Sequence, residues 1–297
     1  MNTNVLTRVD CDRDLVYLWL GDKSRTTVVC YSSIVTGFFD FINKPLSQVA
    51  IEDLQLWHRR LQLTDKPSTV ANKIRAIKSL FSYGVKVGYL EVNVGSYIKC
   101  PKVKEKLAQR ILSEEDCLKL IEATKSERDR AMLCLMYGCG LRVSEVCSLT
   151  WDDLQPCAGA HRHSLFANVD SALPNGEGGR CNVFGKGAKT RVVLVPASVW
   201  KLIMKQPRLI DAVFVSRTGR PLERTMIFRI VKACAKRAEV SQKASCHWLR
   251  HSHASHAIES GCNLRLLQKS LGHSKLETTE RYLHINPESG SSQFINI

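Results

Sequence analysis

Four short stretches and one tyrosine in this sequence hold side chains suited to handling a phosphate. Near its C-terminus the chain reads His247-Trp248-Leu249-Arg250, then Leu271-Gly272-His273, and Tyr282 follows nine residues after that histidine. On a helix His247 and Arg250 stand at i and i+3 and share a face. A guanidinium offers a fork of donors to two phosphate oxygens, and an imidazole beside it adds a further donor. Upstream, Gly140-Leu141-Arg142-Val143-Ser144-Glu145 supplies a second arginine, and Gly185-Lys186-Gly187 sets a lysine among glycines. That lysine turn is not a phosphate-cradling P-loop, because Gly-x-x-x-x-Gly-Lys-Ser/Thr is absent. Taken singly, each residue has an ordinary reading. Arg142 alone is a helix-start arginine, Lys186 a solvated hairpin tip, and Tyr282 a half-buried core tyrosine. His251, His253, His256 and His284 read as surface or packing residues.

The elements that must position these residues can be sketched from periodicity. Residues 1 to about 100 read as mostly helical, with helices over Thr26–Ile42 and Ile51–Gln62 and another starting near Pro67. The last carries an apolar stripe, Val70, Ile74, Ile77 and Phe81, with Lys66, Lys73, Arg75 and Lys78 largely off it. Residues 92–110 read as a basic linker. Ser113-Glu114-Glu115-Asp116 resembles a capping box opening a new unit. The expected division is a helical domain over 1–105 and a second domain over 106–297. The second begins with helices around 114–124 and 128–137, then a helix carrying Arg142 and Glu145. Strands are expected at 165–169, 181–184 and 190–195, the last two forming a hairpin around Lys186. After Pro196 the chain reads as helix to about 284. The expected class is thus mostly α with a small β-sheet, α+β.

Charge adds a partner. The chain carries +15, with 43 basic against 28 acidic residues. Residues 66–110 hold 10 Lys/Arg and 2 Asp/Glu, residues 180–250 hold 16 and 3, and the stretch between holds 6 and 11. Two basic blocks separated by an acidic one suit a protein gripping duplex phosphates from two sides, though charge alone also fits an anionic membrane surface. Apolar runs such as Ala131–Met136 are far shorter than the ~20 residues a membrane span takes. The charged start, Arg8 to Asp14, has no signal-peptide core, so a cytoplasmic location is expected. The 12 cysteines include no Cys-x-x-Cys pair and read as reduced, buried, structural thiols. His161 and His163 lack a third ligand nearby, so no metal is expected.

Together, His247-x-x-Arg250, Leu271-Gly272-His273, Tyr282, the Gly140–Glu145 segment and the lysine turn resemble the tyrosine recombinase (phage integrase) family, most closely its Xer-type branch. The resemblance is strong over roughly residues 110–285. It implies that the first domain is a helical, SAM-like core-binding domain and the second the catalytic domain. It implies a catalytic set of Arg142, Lys186, His247, Arg250, His273 and Tyr282, with Glu145 supporting Arg142. Tyr282 would be the nucleophile forming a 3′-phosphotyrosine, the arginines would clamp the phosphate, and Lys186 would protonate the leaving hydroxyl. His247 would accept a proton or donate to the phosphate, and His273 would be a further phosphate ligand. No cofactor is implied. The implied partners are double-stranded DNA with inverted repeats and a homotetramer on that DNA, with a second recombinase as a possible hetero-partner. The tail over 285–297, with Phe294, Ile295 and Ile297, could dock into a neighbouring protomer. One departure is the stretch of about 26 residues, Gln155–Arg180, rich in Gly and Pro, which reads as a surface loop where relatives are shorter. A monomeric type IB topoisomerase-like enzyme and a non-catalytic DNA-binding regulator are the alternatives. The apolar tail argues against the first and the intact residue set against the second.

Overall fold

The computed structural model describes residues 9–102, 107–157, 178–185 and 190–283. The backbone divides into two compact units, Met1–Glu105 and Lys106–Ile297. The described elements are helices plus one three-stranded antiparallel sheet, which is the expected α+β class.

The first unit contains α1 (Asp12–Gly21), α2 (Arg25–Ile42), α3 (Ile51–Thr64) and α4 (Pro67–Lys86). Pro67 opens α4, where its missing N–H breaks no intrahelical bond. All four residues of the α4 stripe are buried, and Phe38 meets Trp57 and Phe81 edge-on at 4.9 and 6.3 Å. Burying each such ring is worth about 1.5–3 kcal/mol. The α4 basic residues divide into two kinds. Lys73 pairs with Asp65 at 2.9 Å, and Lys78 donates to the carbonyls of Ser96 and Ile98. Lys66 and Arg75 are exposed.

In the second unit Ser113 caps α5 (Glu114–Glu122), its hydroxyl accepting from the Asp116 N–H at 3.1 Å. Next come α6 (Glu127–Gly138) and the short α7 (Val143–Cys147). Every residue from Ala131 to Gly138 is buried, so α6 is covered on all faces and forms the centre of the unit. The sheet runs β1 (Leu154–Cys157), β2 (Gly178–Phe184), β3 (Thr190–Val195) in that order. Helices α8 (Ala197–Met204), α9 (Arg224–Arg237), α10 (Cys246–Glu259), α11 (Leu264–Leu271) and α12 (Glu277–Glu280) follow. Helix α10, which carries His247 and Arg250, packs on α6.

The structure differs from the sequence expectation in places. The first strand is Leu154–Cys157, paired with Gly178–Cys181, and all but its Leu154–Cys181 pair falls inside the Gln155–Arg180 stretch read as a loop. Among the described residues it is an edge strand, where Pro156 is tolerated because its missing donor need not face a neighbour. The strand expected at 165–169 lies outside the described residues, as do His161, His163 and the 285–297 tail. Arg142 sits in the N-cap of α7 rather than within the helix. All 12 cysteines are free, but Cys11 and Cys30 are exposed, whereas burial pushes thiols such as Cys134 up to about 12. No described helix is long and apolar enough to cross a membrane.

Candidate active site

Glycine geometry brings the site together. Gly140 adopts φ +64°, and its carbonyl accepts from the Arg250 guanidinium. A side chain there would bring its Cβ within 2.7 Å of the His253 ring and 2.9 Å of Leu271. The Gly-Leu-Arg segment can therefore press against α10 and the end of α11 only with glycine at its first position. Gly272, at φ +65°, ends α11 in a left-handed cap and turns His273 back, so that the His273 N–H reaches the Gln268 carbonyl at 3.1 Å.

Around this frame lies a cationic cluster. Arg250 is 2 % exposed and donates to the carbonyls of Gly140 and Leu271. Its Nη2 lies 3.3 Å from His273 Nε2. His273 is held from its other side by Thr279 Oγ1, 2.9 Å from Nδ1. Glu145 is buried among three guanidiniums. Arg191 binds it through two parallel hydrogen bonds of 2.8 and 2.9 Å, Arg142 through one of 2.8 Å, and Arg250 stands 3.9 Å away. The Arg142 N–H also donates to Glu145 at 2.7 Å. Three cations share one carboxylate, so positive charge is left over, as an anion site needs. Burial alone would raise the Glu145 carboxyl, but the hydrogen bonds from Arg191 and the Arg142 backbone outweigh it and hold the pKa at about 2. Burial and the neighbouring Arg142 lower Arg250 to about 9, which leaves it a cation at neutral pH.

The nucleophile candidate packs beside this cluster. Tyr282 is 4 % exposed and packs with Leu107, Ala254, Leu267 and Leu271. Its Oη is 2.6 Å from His251 Nδ1, and the His251 ring meets His247 edge-on at 4.4 Å. Burial raises the phenol pKa, while Arg250, Arg281 and Arg142 pull it down. Burial and nearby cations lower His247, take His273 to about 4 and take His251 to about 3. All three imidazoles are neutral at physiological pH.

Of the six residues singled out in the sequence, Arg142, Arg250 and His273 meet around Glu145 and the α11 cap. His247 and Tyr282 are joined through His251. Lys186 stands in the connection between β2 and β3, whose last pair is Phe184 with Thr190, and lies outside the described residues. Two residues were missed. Arg191, on β3, ties the sheet to Glu145 and to the Ser270 carbonyl at the end of α11. His251 was read as a surface or packing residue, yet it bonds Tyr282. Its position four residues after His247 put it on the same helical face, and that spacing was the available signal.

The model of the phage integrase family matches residues 110–289, and that of the phage integrase N-terminal SAM-like domain matches residues 16–89. The tyrosine recombinase XerC of Thermodesulfovibrio yellowstonii is 30 % identical over 279 residues, covering 91 % of this chain and 89 % of its own. A tyrosine recombinase of Thermosipho africanus is 29 % identical over 273 residues, covering 88 % and 89 %. Among solved structures, a lambda integrase (75–356) dimer bound to a COC′ core site superposes with a TM-score of 0.71 at 16 % identity, covering 94 % and 96 % of the two chains. A helical domain, an antiparallel sheet and an arginine-rich centre around Gly140 and Gly272 thus stand on a chain matched nearly end to end by recombinases, and the chain belongs to the tyrosine recombinase (phage integrase) family, in its Xer-type branch.

Proposed function

We propose that the protein, a site-specific recombinase by family, cuts and rejoins DNA through a 3′-phosphotyrosine on Tyr282. One observation carries this reading: three guanidiniums crowd a single buried carboxylate, on the helix framework that also holds His273 and the hydrogen-bonded Tyr282 hydroxyl. A phosphodiester repels nucleophiles by its own charge. Arg142 and Arg250, with His273, would bind the nonbridging oxygens and stabilise the charge that builds in the pentavalent transition state. Removing one such donor costs roughly 10²–10³ in rate at comparable sites. Glu145 and Arg191 would hold the two phosphate-binding arginines in register. His247 would donate to the phosphate, and Lys186 would give a proton to the departing 5′-oxygen. The covalent intermediate keeps the bond energy, so rejoining would need no ATP, and the arginines would supply the charge that a metal supplies elsewhere.

The assembly we propose is a homotetramer joining two duplexes through a Holliday junction, with the 285–297 tail docked into a neighbouring protomer. The lambda integrase structure, a dimer on its core site, supports a multimer on DNA. The substrate would be duplex DNA with inverted repeats of roughly 11 base pairs, about one helical turn each, and the location cytoplasmic. The test uses two linear duplexes carrying the inverted repeats found beside the gene, one end-labelled. Exchanged, recombinant-length products that vanish with Tyr282→Phe are expected. Relaxation of a supercoiled plasmid without any exchange would replace this reading with a monomeric nicking-closing enzyme.

A further inference from the structure

We infer that His251 is a catalytic residue that takes the phenol proton of Tyr282 during DNA cleavage. The inference rests on the cleavage chemistry proposed above and assigns a step that it left open. Among the described residues, His251 Nδ1 is the sole hydrogen-bond partner of Tyr282 Oη, at 2.6 Å. His247 is at the next position along: its ring lies against His251, and no hydrogen bond joins it to the tyrosine. A nucleophilic phenol must shed its proton as its oxygen reaches phosphorus, and an acceptor has to stand within about 2.6–3.2 Å of it. His251 fulfils that requirement before any DNA arrives.

The environment keeps the ring in its proton-accepting, neutral form. Burial, then His247, Arg110, Arg281 and Arg250, keep the His251 ring neutral, so Nδ1 can hold a lone pair toward the phenol and carry its own hydrogen on Nε2. Of these groups Arg250 is the one assigned to the phosphate above, and a phosphodiester docked on it would offset its charge and raise the basicity of the ring. Its helix supports the geometry. His251 lies one residue beyond Arg250 on α10, and Arg250 is pinned by two backbone carbonyls. The ring is thus fixed relative to the phosphate clamp.

The step balances as follows. The Tyr282 oxygen forms a bond to phosphorus while its proton passes to His251 Nδ1, giving an imidazolium. The bond from phosphorus to the 5′-oxygen breaks, and that oxygen leaves with a proton from Lys186. On rejoining, the 5′-hydroxyl returns its proton to Lys186, phosphorus passes back to that oxygen, and His251 hands its proton back to the tyrosine oxygen. No oxidant, metal or co-reactant is consumed.

The experiment measures single-turnover adduct formation on a nicked substrate that traps the cleaved state, for wild type, Tyr282→Phe, His251→Ala and His251→Asn, across pH. DNA affinity is measured alongside. Wild type forms the adduct and Tyr282→Phe does not; if wild type fails too, the phosphotyrosine reading falls and this assignment falls with it. His251→Ala is expected to bind DNA as wild type does and to cleave roughly 10²–10³-fold more slowly, within the usual range for a positioned base. Its rate should climb more steeply with pH than that of wild type, as phenolate replaces base-assisted attack. A 5′-bridging phosphorothiolate, whose leaving group needs no proton, should rescue Lys186→Ala and leave His251→Ala slow. His251→Asn keeps a polar side chain without a basic nitrogen and should be slow as well; it also serves if the alanine variant folds poorly. Substituting a fluorinated tyrosine of lower pKa at 282 should recover much of the loss. Wild-type or faster cleavage by His251→Ala would mean that the bond merely parks the tyrosine, and full activity of His251→Asn would mean that it merely orients it. Either result overturns the assignment.

Discussion

Replacing Glu145 with glutamine tests whether the arginine cluster is held by one buried charge. The carboxylate is 5 % exposed and is the sole counter-ion of Arg142, Arg191 and Arg250 among the described residues. Glu145→Gln preserves shape and leaves three cations facing one another in a buried setting. Lowering a carboxyl from 4.5 to about 2 is worth on the order of 3 kcal/mol of stability, within reach of the ~3–5 kcal/mol measured when a buried pair loses one partner. For a unit of this size that corresponds to a fall in Tm of roughly 6–12 °C. The sign of the pH dependence follows from the lowered pKa. The contribution is fully present above the unfolded carboxyl value, about 4.5, and is lost as pH falls toward about 2. The stability gap between wild type and variant should therefore be constant above pH ~5 and close at lower pH. Urea unfolding of both proteins between pH 3 and 7 measures this, and added sulfate should partly restore the variant by supplying the missing negative charge. A gap under about 1 kcal/mol, or one independent of pH, would refute the reasoning.

Two further outcomes follow from the packing. Gly272→Ala forces a left-handed residue to carry a Cβ 3.0 Å from Arg191 Cδ, and is expected to destabilise by about 1–2 kcal/mol and to slow cleavage; thermal melts and single-turnover rates measure both. On α4, exposed Lys66 and Arg75 are free to meet phosphates, whereas Lys73 and Lys78 are engaged within the protein. Lys66→Ala and Arg75→Ala should each reduce the salt dependence of DNA binding by about one phosphate's worth, and Lys73→Ala should leave that slope unchanged, as read by anisotropy titrations from low to moderate salt.

Legibility in the sequence followed how local each signal was. The start of α5 was readable because Ser113 caps it with its own side chain, and α4 because Pro67 and a four-residue apolar stripe fall at helical spacing. The β2–β3 hairpin was readable from two β-rich runs around glycines. Strand β1 was not, since Leu-Gln-Pro-Cys has little strand character and is held by its pairing with β2, more than twenty residues later. Helix α1 was passed over although Leu15 and Trp19 bury at i and i+4. In the site, the sequence pointed to residues of the recurrent motifs and passed over those that come in through tertiary contact. Arg191 meets Glu145 across 46 positions of sequence, and His251 stands among four histidines on one helix. The four-residue spacing from His247 is the one local feature that sets His251, which reaches Tyr282, apart from His256, which bonds Tyr137.

The nucleophile itself is tested most directly by covalent trapping. Wild type and Tyr282→Phe are incubated with nicked DNA from beside the gene, so that the cleaved end diffuses away, then denatured, digested and analysed by mass spectrometry. A nucleotide adduct on the Tyr282 peptide of wild type, absent from the variant, is the expected result. DNA binding without an adduct, or an adduct on any other residue, would contradict the assignment of Tyr282.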